Sequence, residues 1–181
     1  MKHSLVTVCS AIAAVCLLPL TARAASPHGW TDNYSKAVEE AKAEKKYLLL
    51  DFTGSDWCGF CKLLEKEVFS TPQFSSWAKK YLVLVTVDFP HQTQLSAEVK
   101  SQNAELAKKY PAHGYPTIVV TDADGKVLAT KVGYSPGTGA AKYIADLEAE
   151  IKKSGPMPTP STTSGGNPQE PSIFKTARPS F

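Results

Sequence analysis

Cys58 and Cys61, with Gly59 and Phe60 between them and Trp57 in front, are two thiols that one helical turn can present side by side. Thiols at that spacing can cycle between a dithiol and a disulfide, so redox exchange is the first chemistry to consider. The run Tyr47 to Phe52 just before them reads as a short buried strand, and Lys62 to Phe69 after them carries Leu64 and Val68 at helical spacing. The pair therefore sits where a strand hands over to a helix. At a helix N-terminus the free backbone N–H groups and the positive dipole end favour a thiolate, which makes Cys58 the expected nucleophile. Cys61, deeper in the helix, is expected to be more covered and to attack the mixed disulfide only after Cys58 has captured a partner. Cys58 itself is expected to be exposed.

The same spacing could also serve half of a zinc site or a static disulfide. Zinc needs two more ligands. Cys9 and Cys16 lie in a leader, and His28, His91 and His113 lack the spacing of a ligand pair, so no metal site is expected. A copper-handling dithiol or a binding module with a static disulfide stays open as the non-catalytic alternative.

The chain has 181 residues, 43% of them hydrophobic, which suits one modest domain. Residues 1–24 read as a cleaved signal peptide. Lys2 supplies the positive region, Leu5 to Leu18 an apolar stretch too short to span a bilayer, and Ala22-Arg23-Ala24 a cleavage site. Removing Lys2 and Arg23 lowers the formal charge of +3 to near neutrality. Nothing in that balance points to nucleic acid or to a membrane surface, and a monomer in the periplasm or outside the cell is expected. Beyond Lys153 the composition turns to Pro, Ser, Thr and Gly, and residues 154–181 read as a disordered tail.

Between leader and tail the elements alternate. A helix is expected from about Asp32 to Lys45, followed by the Tyr47 strand and the helix after the cysteines. Thr71-Pro72 opens another helix up to Lys80. Tyr81 to Val87 reads as a central strand, and Ser96 to Lys109 as a helix. Thr117 to Thr121 and Lys126 to Val132 read as a hairpin, and Ala140, Tyr143, Ile144, Leu147 and Ile151 as the stripe of a closing helix. This order implies an α/β fold with a mixed central sheet covered by helices on both faces.

Four features in this order resemble the thioredoxin-like superfamily over about residues 30–153. They are Asp51-Phe52, Trp57-Cys58-Gly59-Phe60-Cys61-Lys62, Gly114-Tyr115-Pro116-Thr117 and Lys131-Val132-Gly133. The resemblance implies a thioredoxin-like fold and a thiol-disulfide oxidoreductase without a cofactor. Its partners would be protein thiols and disulfides, with a second redox protein to reset the pair. It also implies a cis Pro116, which holds the Tyr115 backbone opposite the sulfurs to pair with an extended substrate strand, beside Trp57, Gly59 and Phe60. Asp51 would correspond to the family's buried proton-shuttling aspartate, with Leu84 where thioredoxin has a lysine partner. Gly59-Phe60 replaces thioredoxin's Gly-Pro, and the stretch from Asp88 to Pro116 is longer. With the run from Phe52 to Cys61, the early Trp30 and the Asp88-Phe89-Pro90 turn, the chain looks more like exported bacterial thioredoxin-like proteins.

Overall fold

The computed structural model describes residues 29–159. The expected leader and residues 160–181 of the expected tail lie outside the described residues. Tyr47–Thr53 (β2) lies at the centre of a five-stranded sheet, flanked on one side by Leu82–Asp88 (β3) and then Trp30–Thr31 (β1). On the other side lie Thr117–Thr121 (β4) and Val127–Val132 (β5). β1, β3 and β2 run parallel, while β4 is antiparallel to β2 and β5 antiparallel to β4.

Parallel neighbours cannot be joined by a tight turn, so helices must carry the crossovers. Tyr34–Glu44 (α1) joins β1 to β2, Gly59–Leu64 (α2) and Pro72–Tyr81 (α3) join β2 to β3, Ala97–Lys109 (α4) leads from β3 to β4, and Gly139–Ser154 (α5) follows β5. Thr71 accepts the Phe74 N–H and Ser96 that of Val99, so the breaks read at Thr71-Pro72 and Ser96 are N-caps. Asp122 closes the β4–β5 turn, its carboxylate accepting the Asp124 and Lys126 N–H groups while Gly125 takes φ +87°.

Strand alternation divides the core into two layers. Leu48, Leu50 and Phe52 point to one face with Val83, Val85, Val87 and Val119, under α1 and α4. Leu49, Leu84, Ile118 and Val120 point to the other, under α3, α5 and the chain that follows the cysteines. Asp51 shares this second face with Leu49.

Two features go beyond the sequence reading. The helix after the cysteines begins at Gly59, and its last five residues, Glu65–Phe69, widen into a π-helical turn in which the Ser70 N–H bonds the Glu65 carbonyl. The two-residue β1 carries too little pattern to be read from sequence. At the far end, Tyr47 donates its hydroxyl to the Pro156 carbonyl and Met157 packs on the core, so the described start of the tail touches the domain.

Phe69 is buried where the π-helical turn meets the sheet, with Trp30, Phe74 and Tyr143 at ring distances of 5.1, 4.8 and 6.1 Å. Phe69→Ala is expected to lose about 3–5 kcal/mol of stability by leaving a cavity. Urea unfolding followed by circular dichroism measures it, and a loss below about 1 kcal/mol would mean the site collapses around the gap.

Candidate active site

β2 ends at Thr53 and the chain turns tightly through Gly54, whose carbonyl accepts the N–H groups of Trp57 (3.2 Å) and Cys58 (2.8 Å). A Cβ on Gly54 would run into the Trp57 indole, so the turn needs glycine there. Cys58 is the N-cap of α2, and its sulfur accepts the Cys61 N–H at 3.2 Å. The two cysteines are joined as a disulfide with their Cα atoms 5.3 Å apart. Both residues are only 6% exposed, which corrects the expectation of an exposed Cys58 and a more deeply covered Cys61. What separates them is position on the helix, cap against first turn.

The other expected site residues fall around this turn. Trp57 and Phe60 are exposed, and a Cβ at Gly59 would meet nothing within 4 Å. The Tyr115–Pro116 peptide bond is cis. Pro116 is tied to the end of β5 by the Gly133 N–H at 2.8 Å, and Thr117 bonds the Gly114 carbonyl at 2.7 Å. The Tyr115 ring meets Trp57 edge-on at 5.5 Å, so the residues preceding Cys58 and Pro116 are in contact.

Asp51 lies beneath the pair. It lines, together with Cys61, a cavity of about 540 Å³ that also takes in Trp30, Thr86, Glu65 and Lys62. The side chain is buried and its Oδ1 has no hydrogen-bond partner. Desolvation, with the nearby carboxylates of Glu65 and Asp88, pushes its pKa up to about 8. Strand register puts Thr86 opposite Asp51 and pairs Leu84 with Leu49 two residues away. Leu84 lies on the same face as Asp51, and neither it nor Thr86 offers a cation.

Sequence reading missed Asp56 and the segment it holds. The Asp56 carboxylate accepts the N–H groups of His91 (3.0 Å), Gln92 (2.7 Å) and Thr93 (3.1 Å), which pull its pKa down to about 2. Asp88 adds a second tie, accepting the Ser55 N–H at 2.9 Å and the Ser55 hydroxyl. Trp57 Nε1 donates to the Phe89 carbonyl at 2.8 Å, and the His91 ring stacks on the indole at 4.7 Å. An aspartate just before a helix reads locally as a cap, and no sequence signal links it to amides thirty-five positions away. Among the described residues no three His, Cys, Asp or Glu side chains group as a metal site would require.

Residues 34–148 match the model of the thioredoxin-like domain family. The chain belongs to that family. It is 36% identical over 121 residues to the disulfide bond reductase DsbH of Chlamydia pneumoniae, an alignment covering 67% of this chain and 72% of the relative. The thioredoxin-related protein DsbJ of the same organism is 25% identical over 136 residues, 72% of this chain but 39% of DsbJ. Among solved structures, a DsbH oxidoreductase superposes with a TM-score of 0.63 at 32% identity, over 79% of this chain and 95% of that one. A thioredoxin from Thermus thermophilus, at 22% identity, a TM-score of 0.52 and 70% and 88% coverage, shares the fold. This thioredoxin-like domain is thus homologous to disulfide oxidoreductases.

Two measurements test the electrostatics of the site. Between the ordinary carboxylate pKa of 3.8 and the folded value of about 8, the unfolded chain releases the Asp51 proton while the folded domain keeps it. Folding stability therefore falls as pH rises through that window. Asp51→Asn removes the effect, so the variant should gain on the native chain by roughly 2–5 kcal/mol between about pH 4 and pH 8. A constant difference across the range would place Asp51 in a wetter setting. Separately, Asp56→Ala should speed hydrogen exchange at the His91, Gln92 and Thr93 amides at fixed pH, whereas unchanged rates would mean the segment holds without the carboxylate.

Proposed function

We propose that this chain is an exported thiol-disulfide oxidoreductase acting on protein substrates through Cys58 and Cys61. The observation that carries the reading is a bonded cysteine pair at a helix cap with a buried, unpartnered carboxyl on the cavity that Cys61 lines. Homology to a named disulfide bond reductase supports it.

In the reduced state the Cys58 thiolate attacks a substrate disulfide, forming a mixed disulfide and releasing one substrate thiolate. Cys61 then gives its proton to Asp51, in the fraction of molecules in which that group is ionised, and attacks the Cys58 sulfur. The Cys58–Cys61 disulfide forms, and the second substrate thiolate leaves. An aspartate that titrates at about 8 is matched to taking a proton from a thiol, which an ordinary carboxylate is not. The oxidising direction uses the same residues in reverse, and a second redox protein resets the pair. Trp57, Gly59, Phe60 and Tyr115 form the surface that the substrate meets, and the cis Pro116 presents the Tyr115 backbone to an extended strand.

We take residues 1–24 as the leader that exports the chain, 30–153 as the single catalytic domain and 154–181 as a tail. Among the described residues no helix is long and apolar enough to cross a membrane.

Cys61→Ala, which keeps the attack and loses the resolving step, should accumulate mixed disulfides with exported proteins at least tenfold above Cys58→Ala. Non-reducing electrophoresis with mass mapping counts them. Equal, negligible trapping by two correctly folded variants would favour the binding-module reading.

A further inference from the structure

We propose that the Tyr143 hydroxyl is a positioning group for Asp51, donating a hydrogen bond to the carboxylate, directly or across a single water, whenever Asp51 has given up its proton. The proposal rests on the redox reading above for its purpose, but its first test needs no turnover.

Three buried oxygens raise the question. Among the described residues, Asp51 Oδ1, Tyr143 Oη and Thr121 Oγ1 are the side-chain atoms buried without a hydrogen-bond partner. Folded chains leave few such groups unpaired, because each has lost its water. Thr121 pairs with Leu48 and shares its face of the sheet, under α1 and α4. Asp51 and Tyr143 belong to the opposite layer, Asp51 beside Leu49 and Tyr143 packed from α5 against Phe69. These two are also complementary, since a carboxylate only accepts and a phenol can donate.

Strand register draws them towards one another. Thr86, Asp51, Ile118 and Lys131 form one row across β3, β2, β4 and β5, on the face that α5 covers. Lys131 stands two strand spacings from Asp51, roughly 10 Å. Its ammonium lies 5.5 Å over the Tyr143 ring and 3.8 Å from the Asp146 carboxylate of α5, which pins the ring above the row that holds Asp51. Burial first, and the Asp51 charge second, hold the Tyr143 hydroxyl well above the ordinary tyrosine range, so it keeps its proton to donate. The adjacent Tyr134 has no such freedom, its hydroxyl being spent on Glu67 at 2.6 Å.

The other groups around Asp51 leave this place open. Glu65 and Asp88 repel its charge and are engaged with Ser70 and Ser55. On the cavity wall, the Lys62 ammonium donates to the Asp56 carbonyl at 2.8 Å and Lys66 is exposed to water, while α3 presents Phe74, Trp77 and Ala78 to this layer. Resolution by Cys61 draws on the ionised fraction of Asp51, and a donor to the carboxylate enlarges that fraction. Tyr143 therefore serves the second step and not the attack by Cys58.

Tyr143→Phe deletes the hydroxyl and keeps the ring. In the full chain, the pH midpoint of the Asp51 side-chain ¹³C signal should rise by about one pH unit, as expected when a hydrogen bond to a charge is lost. Tyr134→Phe should leave that midpoint in place. A midpoint unmoved by Tyr143→Phe, or moved equally by both substitutions, would overturn the assignment. In stopped flow at neutral pH, mixed-disulfide decay should slow roughly tenfold in Tyr143→Phe with formation unchanged, and adding the substitution to Asp51→Asn should slow decay no further. A full tenfold loss in the Asp51→Asn background would show that Tyr143 acts on something other than Asp51 and refute the pairing. No disulfide exchange at all, together with a displaced midpoint, would sink the redox reading and leave the pairing standing.

Discussion

The antiparallel register of β4 on β2 is the constraint on which the site depends. Leu48 to Phe52 pair residue by residue with Thr121 to Thr117, so the strand that begins just after Pro116 lies against the strand that ends just before the cysteine turn. Two segments separated by the whole of α3, β3 and α4 are thereby brought edge to edge by backbone hydrogen bonds. Because side chains alternate with a period of two, a slip of one residue would turn Asp51 to the opposite face and Leu50 towards the redox pair. This pairing thus sets the cis Pro116 end of β4 beside the cysteine turn and decides which face Asp51 takes.

Alternation also explains why a carboxyl lies in an apolar layer. Leu49 and Asp51 share the face covered by α3, α5 and the π-helical turn, and no cation crosses over from β3 because Thr86 stands opposite. With Glu65 and Asp88 as its charged neighbours, Asp51 holds its proton up to about pH 8. Asp56, five residues on and only partly covered, meets three backbone N–H groups and holds a charge down to about pH 2. Two aspartates of one short segment are driven apart by what surrounds them, burial raising one and hydrogen bonding lowering the other.

The segment after β3 gives this domain a feature that the redox pair does not need. Asp56 and Ser55 reach across to it from the cysteine turn, and Trp57 is held between His91 on its face and Tyr115 at its edge. The result is a second wall beside the sulfurs, joined to the motif by side-chain and backbone hydrogen bonds. Its extra length is visible in the sequence, but the surface it builds is not.

What the sequence by itself determined is whatever depends on near neighbours. The CxxC spacing, the strand before it, the Thr71 and Ser96 caps, the hairpin turn at Asp122 to Gly125 and the stripe of α5 are each set within a few positions, where periodicity and turn chemistry act. The two-residue β1 escaped because it makes less than one period of any pattern. The widening at Glu65–Phe69 escaped because a π-helical turn keeps its apolar residues on nearly the same side as an α-helix. The tertiary structure alone decided that Thr86 pairs with Asp51, that Cys58 is as covered as Cys61, and that Asp56 binds the amides of His91 to Thr93. Each of these depends on strand register or on contacts between distant segments, and such contacts form only when the hydrophobic layers close, a condition that no local stretch of residues encodes.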